Sequence, residues 1–72
     1  MNLNYYPETD SLYIDFSESS SVETLEISEG VHVDYDAKGS LVGIDIDKAS
    51  SKMELKELIV NKLPGTVRIA AV

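Results

Sequence analysis

Val31-His32-Val33-Asp34-Tyr35-Asp36-Ala37-Lys38-Gly39-Ser40-Leu41-Val42-Gly43-Ile44-Asp45-Ile46 is the stretch that decides the fold. Its two arms alternate apolar and polar residues, the period of a strand with one face buried and the other wet. Val31, Val33 and Tyr35 share one side of the first arm; Val42, Ile44 and Ile46 share one side of the second. Between them, Asp36-Ala37-Lys38-Gly39 has the chemistry of a hairpin turn, in which Asp bonds nearby N–H groups and Gly closes the turn. Strands over 31–35 and 41–46 are predicted, paired antiparallel.

The same period continues towards the N-terminus. Val22 to Ser28 reads as a strand with Leu25 and Ile27 inward, and Glu29-Gly30 is its tight connection to the next. Leu12-Tyr13-Ile14-Asp15-Phe16 places Leu12, Ile14 and Phe16 on one face and Tyr13 and Asp15 on the other. Leu3 to Tyr6 is a short first strand, followed by the turn Pro7-Glu8-Thr9-Asp10, and Ser17 to Ser21 is a polar loop. Connections this short make neighbouring strands antiparallel, and a meander is the economical topology.

A sheet with one apolar face needs one cover. Ser51-x-x-Glu54 reads as a capping box, and Leu55, Leu58, Ile59 and Leu63 recur at helical spacing before Pro64-Gly65 stops the pattern. The expectation is an α+β fold: a four- to five-stranded antiparallel β-meander over residues 1–47, with one C-terminal helix over about 50–63 packed on its apolar face. Residues 66–72 are a tail or an edge strand. At 72 residues there is room for a single domain, 1–72.

A domain of this size buries roughly 60% of its extended-chain surface and needs additional support when alone. Cysteine is absent, which removes disulfides and thiolate metal sites and leaves oligomerisation as the support to expect. Net charge is −7, unevenly spread. Residues 1–47 hold eleven carboxylates against one lysine, Lys38, for a net −10; residues 48–72 hold five cations against Glu54 and Glu57, for a net +3. Such a body repels phosphate backbones, so nucleic acid is not an expected partner, whereas a basic protein is. No apolar run is long enough to cross a bilayer, and Met1-Asn2-Leu3-Asn4-Tyr5-Tyr6 lacks the basic start of a secretory signal, so the cytoplasm is the expected compartment and no membrane partner is foreseen.

Tyr6-Pro7-Glu8-Thr9-Asp10-Ser11-Leu12-Tyr13-Ile14, together with Gly30-Val31-His32-Val33-Asp34-Tyr35-Asp36 and Gly39-Ser40-Leu41-Val42-Gly43-Ile44-Asp45-Ile46, resembles the small bacterial family called domain of unknown function 2283. Ala49-Ser50 matches the start of that family's closing segment, so the likeness spans about residues 4 to 51. Asp47 departs from the pattern, which favours an apolar residue there, and the chain beyond about residue 60 lies outside it. The resemblance implies a compact α+β domain with no established activity; some members look like antitoxin partners of small toxins. In physical terms the motifs describe a scaffold: Asp10 and Gly39 hold turns, and Gly43 makes room for a large neighbour such as Tyr13 or Tyr35.

Chemistry-bearing patterns are few. Asp34-x-Asp36-x-Lys38-Gly39 with Asp45 imitates a calcium loop, yet Lys38 stands at a ligand position, Asp45 replaces the bidentate Glu, and strands flank the loop. His32, Asp34 and Asp36 are the residue types of a minimal metal-dependent or acid–base enzyme, but an open sheet face gives neither task a dry hollow. Serines sit in loops without a nucleophile elbow, and the four glycines are too scattered to cradle phosphate. No catalytic residue, metal ligand or cofactor is assigned. The expected role is a non-enzymatic, self-associating protein-interaction module, antitoxin-like in its concrete form. Its candidate interaction face is Tyr13, Asp15, His32, Asp34, Asp36 and Asp45, turned to a basic partner. Lys52 and Lys56, one helical turn apart, are the candidate subunit contact of a homo-dimer.

Overall fold

The alternating segments form five strands, with one helical turn behind them. A computed structural model describes residues 1–68 and contains β1 (Asn2–Tyr6), β2 (Ser11–Asp15), β3 (Glu23–Ser28), β4 (Val31–Tyr35), β5 (Leu41–Ile46) and α1 (Ala49–Lys52). All pairings are antiparallel in one sheet ordered β1-β2-β5-β4-β3. The α+β expectation holds, with an elaboration of the meander: β3, β4 and β5 run in sequence, and β5 then lies against β2. The polar loop after β2 makes this order. It crosses the ends of β5 and β4, where the Phe16 N–H donates to the Val42 carbonyl at 2.8 Å and the Val22 N–H to the Tyr35 carbonyl at 2.8 Å.

Register sorts the side chains. Leu12 faces Ile46 and Ile14 faces Ile44 across β2 and β5, while Val31 and Val33 meet Ile46 and Ile44 from β4. Leu12, Ile46 and Ala49 are buried together, with Ile14, Val31 and Ile44 packed around them. Ala49 is fully buried at 0% exposure, so α1 sits on the apolar face as expected.

The extent of the helix is a correction. A helix over about 50–63 was expected; α1 stops at Lys52, where Met53 turns extended at φ −152°, and no strand or helix follows among the described residues. A helix is stabilised in a protein by packing its apolar stripe, which offsets the cost of nucleation. Here that stripe stays wet, with Leu58 67% and Ile59 66% exposed. Residues 53–58 instead run beside Leu3, Tyr5, Leu12 and Ile14, leaving an open groove of about 550 Å³ over β1 and β2. The tail assigned to 66–72 shows no strand at 66–68, and 69–72 lie outside the described residues.

The capping box is corrected as well. Ser51 lies inside the turn and its hydroxyl donates to the Lys48 carbonyl at 2.8 Å, while Lys48, at φ 50°, offers no side-chain cap. The cap comes from forty residues away. Asp10, in the β1–β2 turn, accepts from the Ser50 N–H at 3.1 Å and the Ser50 hydroxyl at 2.5 Å, and its carbonyl accepts from the Ala49 N–H at 2.8 Å. The Tyr5 hydroxyl donates to the same carboxylate at 2.8 Å. A carboxylate on the second N–H of a helix is the ordinary capping interaction; here it also ties the end of β5 to the first hairpin.

The Ser50 and Tyr5 hydroxyls, in that order, lower the pKa of Asp10, helped by the Ser50 N–H and the charge of Lys52. A depressed carboxyl stabilises the fold above its unfolded value, and that contribution is lost as pH falls through the folded one. Asp10→Asn should therefore lower Tm at neutral pH and flatten the acid limb below about pH 4, the ordinary carboxylate value. Thermal unfolding followed by circular dichroism across that range measures both.

Candidate functional site

The polar face of the sheet is built by the same register. Tyr13 on β2 pairs with Asp45 on β5, Asp45 with His32 on β4, and His32 with Glu26 on β3. The next row runs from Asp15 through Gly43 and Asp34 to Thr24. Five of the six residues proposed for the interaction face, Tyr13, Asp15, His32, Asp34 and Asp45, thus lie in two adjacent rows. Asp36 does not join them: it lies in the β4–β5 turn, where its carboxylate accepts from the N–H groups of Lys38 and Ser40, each at 2.9 Å. Gly39 completes that turn at φ 80°.

Gly43 is the key to the centre of the face. A Cβ built there would collide with the Tyr13 hydroxyl and stand 2.6 Å from the ring's Cζ and 2.9 Å from the Ile14 carbonyl. The phenol therefore lies flat across β5 over Gly43 and donates to Asp34 Oδ2 on β4 at 2.9 Å. Of the two neighbours anticipated for this glycine, Tyr13 is the one in place. Thr24 reaches in from β3 and donates to Asp34 Oδ1 at 2.6 Å. Tyr13, Asp34 and Thr24 thus stitch β2, β4 and β3 together above the sheet. Beside them, His32 Nε2 lies 3.0 Å from Glu26 Oε2, and Asp15 accepts from the Ser17 N–H at 3.2 Å.

Electrostatics follow from crowding carboxylates on one plane. Burial first, then the hydrogen bond to Asp34 and the charges of Asp34, Asp15 and Asp45, push the Tyr13 phenol up to about 12. Burial and the neighbouring Asp47 raise the Asp45 carboxyl, against the opposing pull of His32. Among the described residues no three His, Cys, Asp or Glu side chains converge as a metal site would need. His32, Asp34 and Asp36, the trio of the enzyme alternative, each bond to a different structural partner.

Glu26 and Thr24 were absent from the sequence-based face. The bulge between Glu26 and Ser28 puts them there: carried on without it, the two-residue turn Glu29-Gly30 would set Ile27 against His32 and Leu25 against Asp34. The lysine pair is separated by the shortening of the helix. The Lys52 amine donates to the carbonyl of Asp47, whereas Lys56 lines the groove on the apolar side.

This chain belongs to the DUF2283 family, proteins of unknown function, whose family model matches residues 2–50. That span covers the whole sheet and ends on Ser50, the residue that Asp10 clasps. No curated protein and no solved structure matches the chain.

Two substitutions test the stitching. Tyr13→Phe should cost about 1–2 kcal/mol, the usual worth of a hydrogen bond to a charged group at a partly exposed site. It should also remove a loss of stability between about pH 10 and pH 12, because a raised phenol stabilises fully below its unfolded value and the effect fades as pH rises to the folded one. Gly43→Ala should cost about 2 kcal/mol by overpacking, with about 1 kcal/mol of that recovered in a Tyr13→Ser background. Urea unfolding of the four proteins closes the cycle. On the same face, Asp45→Asn should stabilise by about 0.5 kcal/mol at pH 7, relieving like charges across a sheet, and the gain should vanish below about pH 4, where the carboxyl is protonated in both states.

Proposed function

We propose that this chain is a non-enzymatic protein-interaction module that associates with itself through apolar surface and offers its carboxylate face to a basic protein. The observation that carries the reading is the unfinished cover on the apolar side. Leu25 and Ile27 of β3 are 47% and 61% exposed on the face whose centre is the core, and the groove over β1 and β2 is lined by Leu3, Tyr5, Met53, Leu55 and Leu58. A compact monomer of 7.9 kDa exposes roughly 4,400 Å² by the usual size scaling; this chain exposes 6033 Å². Apolar side chains left open in this way support contact with another chain.

The opposite face supports the second half of the proposal. Tyr13, Asp15, Asp34, Asp45 and Glu26 form an anionic, hydrogen-bonded plane, held rigid by Gly43 and Thr24. It suits recognition of a cationic surface, for which complementary charge supplies orientation and rate. An antitoxin-like role, in which the bound protein is a small basic toxin, is the specific form of the proposal and draws on the family likeness and the −10 charge of residues 1–47.

Sedimentation equilibrium over a wide concentration range tests the first half. A mass that rises with concentration towards twice 7.9 kDa is the expected result; a single monomeric mass throughout would reject self-association.

A further inference from the structure

An open sheet ends in two strands, each with a row of backbone N–H and C=O groups aimed away from the sheet. Here the ends are β1 and β3, and they are not equivalent. β3 carries Glu23 and Glu26, is followed by Glu29, and its pairing with β4 is broken by a bulge between Glu26 and Ser28. Charge and a bulge are the two devices by which an edge is made unfit for another strand. β1 has neither. Asn2-Leu3-Asn4-Tyr5-Tyr6 is uncharged in a chain of net charge −7, pairs with β2 without a register shift over all five residues, and is exposed along its length. Among the described residues no turn or loop backbone bonds to residues 2–5.

We infer that the second copy in the self-associated protein adds to the β1 edge, antiparallel and centred on Asn4, so that two five-stranded sheets become one. The inference rests on the self-association proposed above and names the surface that carries it. A two-fold axis at Asn4 sets each Leu3 opposite the second copy's Tyr5 on the apolar side, and each Asn2 opposite the second copy's Tyr6 on the polar side. Aromatic–aliphatic cross-strand pairs of this kind stabilise a sheet. Every facing pair is neutral, so two acidic copies meet along this edge with no charged side chains set against each other. The axis also sets the two apolar grooves side by side, with Leu3 and Tyr5 of both copies forming a common wall. An isologous contact closes after two copies and leaves only the guarded β3 edges exposed.

The absence of cysteine makes the geometry directly testable. Residues facing each other across an antiparallel pair have Cα atoms about 4.5–5.5 Å apart, within disulfide reach. Asn4→Cys in the full chain should therefore oxidise to a covalent dimer, whereas Ser28→Cys on the other edge should stay monomeric on a non-reducing gel. Independently, Asn4→Lys and Asn4→Glu should each raise the dimer dissociation constant roughly fivefold, and their mixture should restore it by pairing opposite charges across the axis. Circular dichroism confirms that each variant is folded. If the wild-type protein dimerises but Asn4→Cys fails to cross-link and neither charge variant weakens the dimer, the β1 contact is wrong while self-association stands. If the wild-type protein is monomeric at every concentration, both fail.

Discussion

The antiparallel pairing of β2 with β5 is the contact on which the structure depends. It joins the N-terminal hairpin to the β3-β4-β5 meander, and the main apolar cluster forms where they meet: Leu12 against Ile46 and Ile14 against Ile44 on one side, Tyr13 beside Asp45 on the other. Both faces therefore have their centre on the same seam. Two features secure it from opposite sides. Asp10 ties the end of the seam to Ala49 and Ser50, and the Tyr13 phenol crosses Gly43 to reach Asp34. The clasp brings Ala49 down onto Leu12 and Ile46, so a polar interaction in a turn completes an apolar cluster.

The two faces divide the physical work. The apolar face is only partly served by its own chain: one helical turn and an extended segment cover β1 and β2, and Leu25 and Ile27 remain open. On the polar face the Asp34 carboxylate holds the hydroxyls of Tyr13 and Thr24, and Glu26 meets the His32 imidazole. Charge fixed on one side and apolar area left open on the other are the two features on which the proposed association with other chains rests.

Much of the sheet was legible because strands with one wet face write a period of two into the chain, and the β4–β5 hairpin carried that signal together with its turn chemistry. The room at Gly43 was legible for the same reason: a glycine at an outward position of a strand makes room for a large neighbour. The C-terminal segment misled. Leu55, Leu58, Ile59 and Leu63 have helical spacing, but spacing only creates a stripe, and the helix requires a surface on which the stripe can be buried. The capping box failed because the turn begins three residues earlier, with Lys48 at its N-cap and Asp10 of the first hairpin on its N–H groups. Asp36 was grouped with His32 and Asp34 by parity, which ceases to apply once the strand ends and the side chain turns to its own loop.

Local chemistry in the sequence thus determined the strands, their inward and outward residues, the tight turns and the lopsided charge, since each depends on neighbours within a few positions. The strand order, the forty-residue reach of Asp10 to Ser50, the choice of Tyr13 over Tyr35 at Gly43 and the arrest of the helix at Lys52 were decided by tertiary structure. These depend on which distant surfaces meet, and a pattern with a period of two or of 3.6 residues carries no record of the partner it will face.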